Sequence, residues 1–202
     1  MYSKGFTLTE VLVTLSIVTV IITAILLNQS AYVEAASLAN LSDEIATRVV
    51  QAQVYGIAVR ESTPGSSDFT GSYGVALSLL SGGSDKDYLA FVDRNSNEIY
   101  DGGWDCEAGG FSECIEKISI LRGNYISDLC VIRSSGGDQC NTAKRVDVSF
   151  LRPVTEARIK LFNSGGQEYN PGNMVGVRLI LKSPSGLTRS VAIYQSGQVS
   201  SQ

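Results

Sequence analysis

The chain has 202 residues, enough for one domain of modest size plus one appended segment. Apolar residues make up 44% and charged residues 18%, which fits a folded domain and excludes a disordered chain. The net charge is −4 without a broad basic patch, so nothing argues for nucleic acid or anionic lipid. Histidine is absent, which removes the commonest general base and metal ligand. Nucleophilic triads and histidine-based zinc sites are thereby excluded, apart from lysine- or cysteine-based designs.

The chain opens Met1-Tyr2-Ser3-Lys4-Gly5-Phe6-Thr7-Leu8-Thr9-Glu10, and after Glu10 no charge occurs until Glu34. The 23 uncharged residues from Val11 to Val33 suffice for one tilted membrane span. A charge at the bilayer centre costs roughly 2.5–3.5 kcal/mol, so a carboxylate heading such a run needs a reason. Lys4 places positive charge at the cytoplasmic end. A secretory signal would be cut after the apolar run, near Ala31 or Ala35-Ala36, and an ordinary anchor has no use for Glu10.

The string Lys4-Gly5-Phe6-Thr7-Leu8-Thr9-Glu10 resembles the class III signal of type IV prepilins and type II secretion pseudopilins. The resemblance implies cleavage by prepilin peptidase between Gly5 and Phe6, followed by N-methylation of Phe6. It also implies that Glu10 pairs with the Phe6 amine of a neighbouring subunit during assembly, which would offset the buried charge. The implied order is a leader at 1–5, a transmembrane and assembly helix at 6–33, its amphipathic half at 34–61 and an exported β-rich domain at 62–202.

From Leu38 the apolar positions are Leu38, Leu41, Ile45, Val49, Ala52 and Gly56, the spacing of one buried helical face. One long helix is therefore predicted from about Phe6 to about Val59, ending before the loop signal Ser62-Thr63-Pro64-Gly65-Ser66-Ser67. A short stalk coiled coil is the alternative for the same stripe. Beyond Pro64 the pattern becomes strands: 73–79, 87–93, 115–121, 126–133, 146–151, 157–162, 175–182 and 189–194. Val146-Asp147-Val148-Ser149-Phe150 alternates apolar with polar, and glycine or proline turns separate most runs. The predicted class is α+β, a long N-terminal helix packed on an antiparallel two-sheet β domain.

Leu89-Ala90-Phe91-Val92-Asp93-Arg94-Asn95-Ser96-Asn97-Glu98-Ile99-Tyr100-Asp101 resembles a segment of the H-type, FimT/FimU-like minor subunits. Their turn carries glycines where this chain has Ser96 and Glu98, so an identical turn is not expected. The closing segment, Arg189 through an alternating strand to Gly197 and a last short strand, is also similar to that branch. Asp93, Asn95, Asn97 and Asp101 place oxygens at alternate positions, as calcium loops do. Glu98 stands where an EF-hand glycine should be, and Trp104 where its bidentate glutamate should be. A polar turn bonded to its own backbone is the alternative. Asp105 or Glu107 would complete a calcium site.

Cys106, Cys114, Cys130 and Cys140 all follow the apolar run. An even count in an exported domain suggests two disulfides, with three connectivities open. Cys106–Cys114 and Cys130–Cys140 are favoured because each closes a glycine-containing loop. A four-cysteine zinc site is the competing use, although no Cys-x-x-Cys pair is present.

The resemblance implies a structural minor subunit of a type II secretion pseudopilus or type IV pilus, not an enzyme. Its implied partners are other pilins or pseudopilins, prepilin peptidase and an inner-membrane assembly platform. Its implied location is a single inner-membrane pass with the C-terminal domain outside the cytoplasm, then a filament. The alternative is a pilus-displayed binding module, an adhesin or DNA-uptake receptor. Residues 196–202 carry no Lys or Arg to meet phosphates, which argues against DNA.

Overall fold

The computed structural model describes residues 5–58, 70–106 and 112–202. Lys4, the 62–67 loop signal and Glu107 lie outside the described residues. One helix, α1 (Leu8–Ile57), runs for 50 residues, about 75 Å at ~1.5 Å per residue. It begins two residues later than the apolar pattern suggests because Thr7 is its N-cap. Thr7 is extended, and its hydroxyl accepts from the Glu10 amide at 3.3 Å. The extended residue Ala58 ends it, its N–H donating to the Val54 carbonyl.

Eleven strands follow among the described residues: β1 (Ser72–Ser78), β2 (Ser84–Asp93), β3 (Cys114–Ser119), β4 (Tyr125–Arg133), β5 (Gln139–Ala143), β6 (Arg145–Phe150), β7 (Ala157–Phe162), β8 (Glu168–Tyr169), β9 (Met174–Lys182), β10 (Thr188–Tyr194) and β11 (Val199–Ser201). They form two antiparallel sheets, ordered β3-β2-β1-β6-β7-β8 and β11-β10-β9-β4-β5. The fold is α+β with two packed sheets. Strands β5 and β8 escape sequence reading. Each is a short, polar edge strand without an apolar face to betray it.

The main core lies between α1 and the two sheets and includes Ile45, Val49, Leu77, Leu129, Val177 and Ile193. A second cluster, Ala76, Leu89, Phe91 and Tyr100, lies on the other face of the six-stranded sheet. Alternation explains the split: Tyr88 and Val92 point to the main core, Leu89 and Phe91 to the second. Strand β1 is buried along its whole length because both its faces are covered.

The candidate assembly helix and the anchored loop

The two halves of α1 differ in what covers them. From Val11 to Leu26 the large apolar side chains are exposed, among them Leu12, Leu15, Ile17, Val20 and Ile25. Among the described residues, this helix is the one long and apolar enough to cross a membrane. Its hydroxyls need no partner from outside. Thr14 donates to the Val11 carbonyl at 2.9 Å, Ser16 to Val13 at 2.8 Å, Thr23 to Thr19 at 2.8 Å, and Thr19 to Leu15. Glu10 stands in the first turn, where the helix dipole favours a carboxylate. Gly5 and Phe6 precede the cap, and Phe6 is 82% exposed.

Residues 1–26 match the family model described as the prokaryotic N-terminal methylation motif. The match makes the N-terminal segment prepilin-like. The motif and the exposed apolar helix behind it support processing by prepilin peptidase and a membrane-anchored state. Neither the search of curated proteins nor that of solved structures finds a match.

The helix changes character at Leu38. Leu38, Leu41, Ile45, Val49 and Ala52 are buried, and Gly56 continues their line. At Gly56 the helix meets β6 so closely that a Cβ would lie 2.9 Å from the Phe150 Cβ and overlap its carbonyl oxygen. Polar side chains tie the same half to the domain. Arg48 pairs with Glu116 at 3.2 Å. Gln53 donates to the Thr155 carbonyl at 2.9 Å, and Ser201 to Asp43 at 2.8 Å. The amphipathic half therefore belongs to the domain's core and is not a free stalk.

The Asp93–Asp101 segment folds back over the outer face of the six-stranded sheet. Buried Asp93 accepts from the Ser96 amide at 2.7 Å, the Glu98 amide at 2.8 Å and the Ser72 hydroxyl at 3.1 Å. Ser96 and Glu98 have φ of 64° and 67°, the left-handed region that favours glycine. The turn thus takes a glycine-like path without glycine, held there by the Asp93 carboxylate. Asn95 accepts from the Asn97 amide at 3.1 Å, and Asn97 from the Ile99 amide at 2.9 Å. Their side-chain NH₂ groups both donate to the same Asp101 oxygen, at 2.7 and 2.5 Å.

The four residues do come together, but Asp101 faces amide N–H groups rather than sharing a cavity with other oxygens. The Asp93, Asn95 and Asn97 oxygens each accept from a backbone N–H. The set is a self-bonded polar turn.

Three further residues hold this loop. Glu113, buried, accepts from the Arg94 amide at 3.1 Å and the Asp101 amide at 2.7 Å. Asp147, also buried, accepts from the Tyr100 amide at 3.0 Å and from Arg145 at 3.0 and 2.5 Å. Arg145 also donates to the Tyr100 carbonyl at 2.6 Å and stacks 4.7 Å from the Phe162 ring centroid. Burial pushes both carboxyls above their ordinary values, against the lowering effect of these hydrogen bonds. Sequence reading passes over all three. In an alternating strand Asp147 looks solvent-facing, and its only signal is an Arg two residues earlier on the same face.

The loop's purpose is visible in its apolar residues. Tyr100 packs against Phe91 with centroids 5.7 Å apart and against Trp104 at 6.5 Å. The Tyr100 hydroxyl donates to the Gly103 carbonyl at 2.7 Å, and the Trp104 indole to Asp87 at 2.5 Å. The Cys106–Cys114 disulfide closes this flap, and Cys130–Cys140 ties β4 to β5. Both pairs are oxidised and no free cysteine is found among the described residues, so no thiolate set is available for zinc. Asp128 lies near Cys130 and Cys140, but it is engaged by the Leu129 and Asn141 amides at 2.9 and 3.1 Å.

Proposed function

We propose that the chain is a minor subunit of the H-type, FimT/FimU-like kind, built into a type II secretion pseudopilus or a type IV pilus. The observation that carries this reading is the division of α1. One half exposes apolar side chains all round and bears Glu10 at its head, and the other is fastened to a β domain. Such a helix is complete only inside a bilayer or among other helices. The exposed stripe Val50, Val54 and Ile57 extends apolar surface along the fastened half, which suits packing against a neighbouring subunit.

In this reading Phe6 becomes the methylated N-terminus, and the chain crosses the inner membrane once with its β domain outside the cytoplasm. Glu10 then meets the Phe6 amine of a neighbour. Intact-mass measurement on membrane-extracted protein should show loss of Met1 to Gly5 plus one methyl group. Glu10→Ala should still insert, since a membrane charge is gone, while incorporation into filaments falls sharply. A mature chain beginning after Ala35 or Ala36, or normal incorporation of the variant, would overturn the proposal.

A further inference from the structure

A groove of about 480 Å³ lies between α1 and the turn joining β3 to β4, lined by Leu26, Ser30, Val33, Glu34, Ser37 and Arg122. Its position along the helix is set by geometry. Leu26 lies about 27 Å from Leu8 at ~1.5 Å per residue, close to the ~30 Å thickness of bilayer hydrocarbon. The groove therefore starts at the hydrocarbon edge and rises through the headgroup layer, provided that α1 spans the membrane as proposed above.

Two observations indicate what it holds. Arg122 and Gly123 have φ of 60° and 75°, two successive left-handed residues in the tight turn that carries the chain from one sheet to the other. Gly, Asn and Asp dominate the left-handed positions of such a turn. Here an arginine is held in that conformation against its preference, and such outliers point to function. The turn is also anchored: Asn124, buried, donates to the Ser37 hydroxyl of α1 at 3.0 Å. Across the groove, one carboxylate oxygen of Glu34 is shielded from solvent and has no hydrogen-bond partner. A buried acceptor left unpaired is costly and calls for a donor.

The groove thus offers one cation and one donor-seeking anion beside an apolar floor of Leu26 and Val33. We infer that it takes a phospholipid with a phosphoethanolamine headgroup. The phosphate meets the Arg122 guanidinium, the primary ammonium donates to Glu34, and an acyl chain runs along Leu26 and Val33. A choline headgroup carries the same charges but has no N–H to give Glu34. A glycerol headgroup has no cation.

The test is native mass spectrometry of the full chain, extracted from membranes and titrated separately with phosphatidylethanolamine, phosphatidylcholine and phosphatidylglycerol of identical acyl chains. Ethanolamine lipid should be retained about tenfold better than either other lipid, equivalent to about 1.4 kcal/mol. Glu34→Gln should erase that preference. Arg122→Gly, which suits the turn, should weaken all three lipids. Equal retention of the three, or a preference that survives Glu34→Gln, overturns the inference. So does a dimer mass without headgroup preference, which would mean a second copy occupies the groove. Alkaline carbonate extraction of the membranes separates the two levels. Release of the chain refutes the membrane reading and this site together, whereas an inserted chain without headgroup preference refutes this site alone.

Discussion

Gly56→Ala sets helix propensity against packing. In an exposed helix the change should stabilise by about 1 kcal/mol. In this fold the new methyl would overlap the Phe150 carbonyl. That carbonyl cannot retreat, because Phe150 pairs with Tyr73 on one side and Ala157 on the other. The helix must lift instead, and a gap of about 0.5–1 Å forfeits a quarter to a half of each local contact. Overpacking of this kind costs about 1–3 kcal/mol. Taking the upper end, because backbone and not side chain obstructs, the net destabilisation is about 2 kcal/mol after the propensity gain. A domain of this size then melts about 4–8 °C lower. The assay is thermal unfolding of the full chain in detergent, followed by circular dichroism. Val50→Ala on the exposed side is the control and should change stability by less than ~0.5 kcal/mol. A higher melting temperature for Gly56→Ala would refute the close helix–sheet approach.

Three other outcomes are expected. Ser96→Gly should stabilise by about 1 kcal/mol, since glycine relieves the left-handed backbone at φ 64° while the Asp93 bond to the amide stays; urea unfolding read by the single tryptophan, Trp104, would show it as a higher midpoint. Glu113 and Asp147 have folded-state pKa values raised above their unfolded ones, so the folded state binds more protons. Stability should therefore fall as pH rises through the unfolded carboxyl range and on to the raised folded values. Glu113→Gln should flatten that fall, and a midpoint that rises with pH over this window would contradict the assignment. Millimolar calcium should leave the melting temperature unchanged if the turn is held by its own N–H groups alone; a rise that chelator reverses and Asp93→Ala abolishes would establish the calcium reading.

The sequence by itself determined the parts whose physics is local. A bare apolar run headed by Glu10 is legible because no soluble element tolerates it. The stripe from Leu38 to Gly56 is legible because one side of that helix is buried and the other is not. Eight of the eleven strands announce themselves through apolar runs bounded by turns, and the closing β11 follows Gly197 as the resemblance implies. Tertiary structure decided what periodicity cannot carry. Whether Asp147 faces water depends on a loop that returns from more than forty residues away to cover it. The roles of Asp93 and Glu113 likewise depend on backbone N–H groups that gather only when the 93–101 turn closes. Arg122 reads as an ordinary surface arginine until the turn that holds it is packed against α1. Alternation reports burial only where one face of a strand meets the core. Once a flap covers the second face, the polar residues there become buried hydrogen-bonding groups, and their partners come from distant segments that no local pattern encodes.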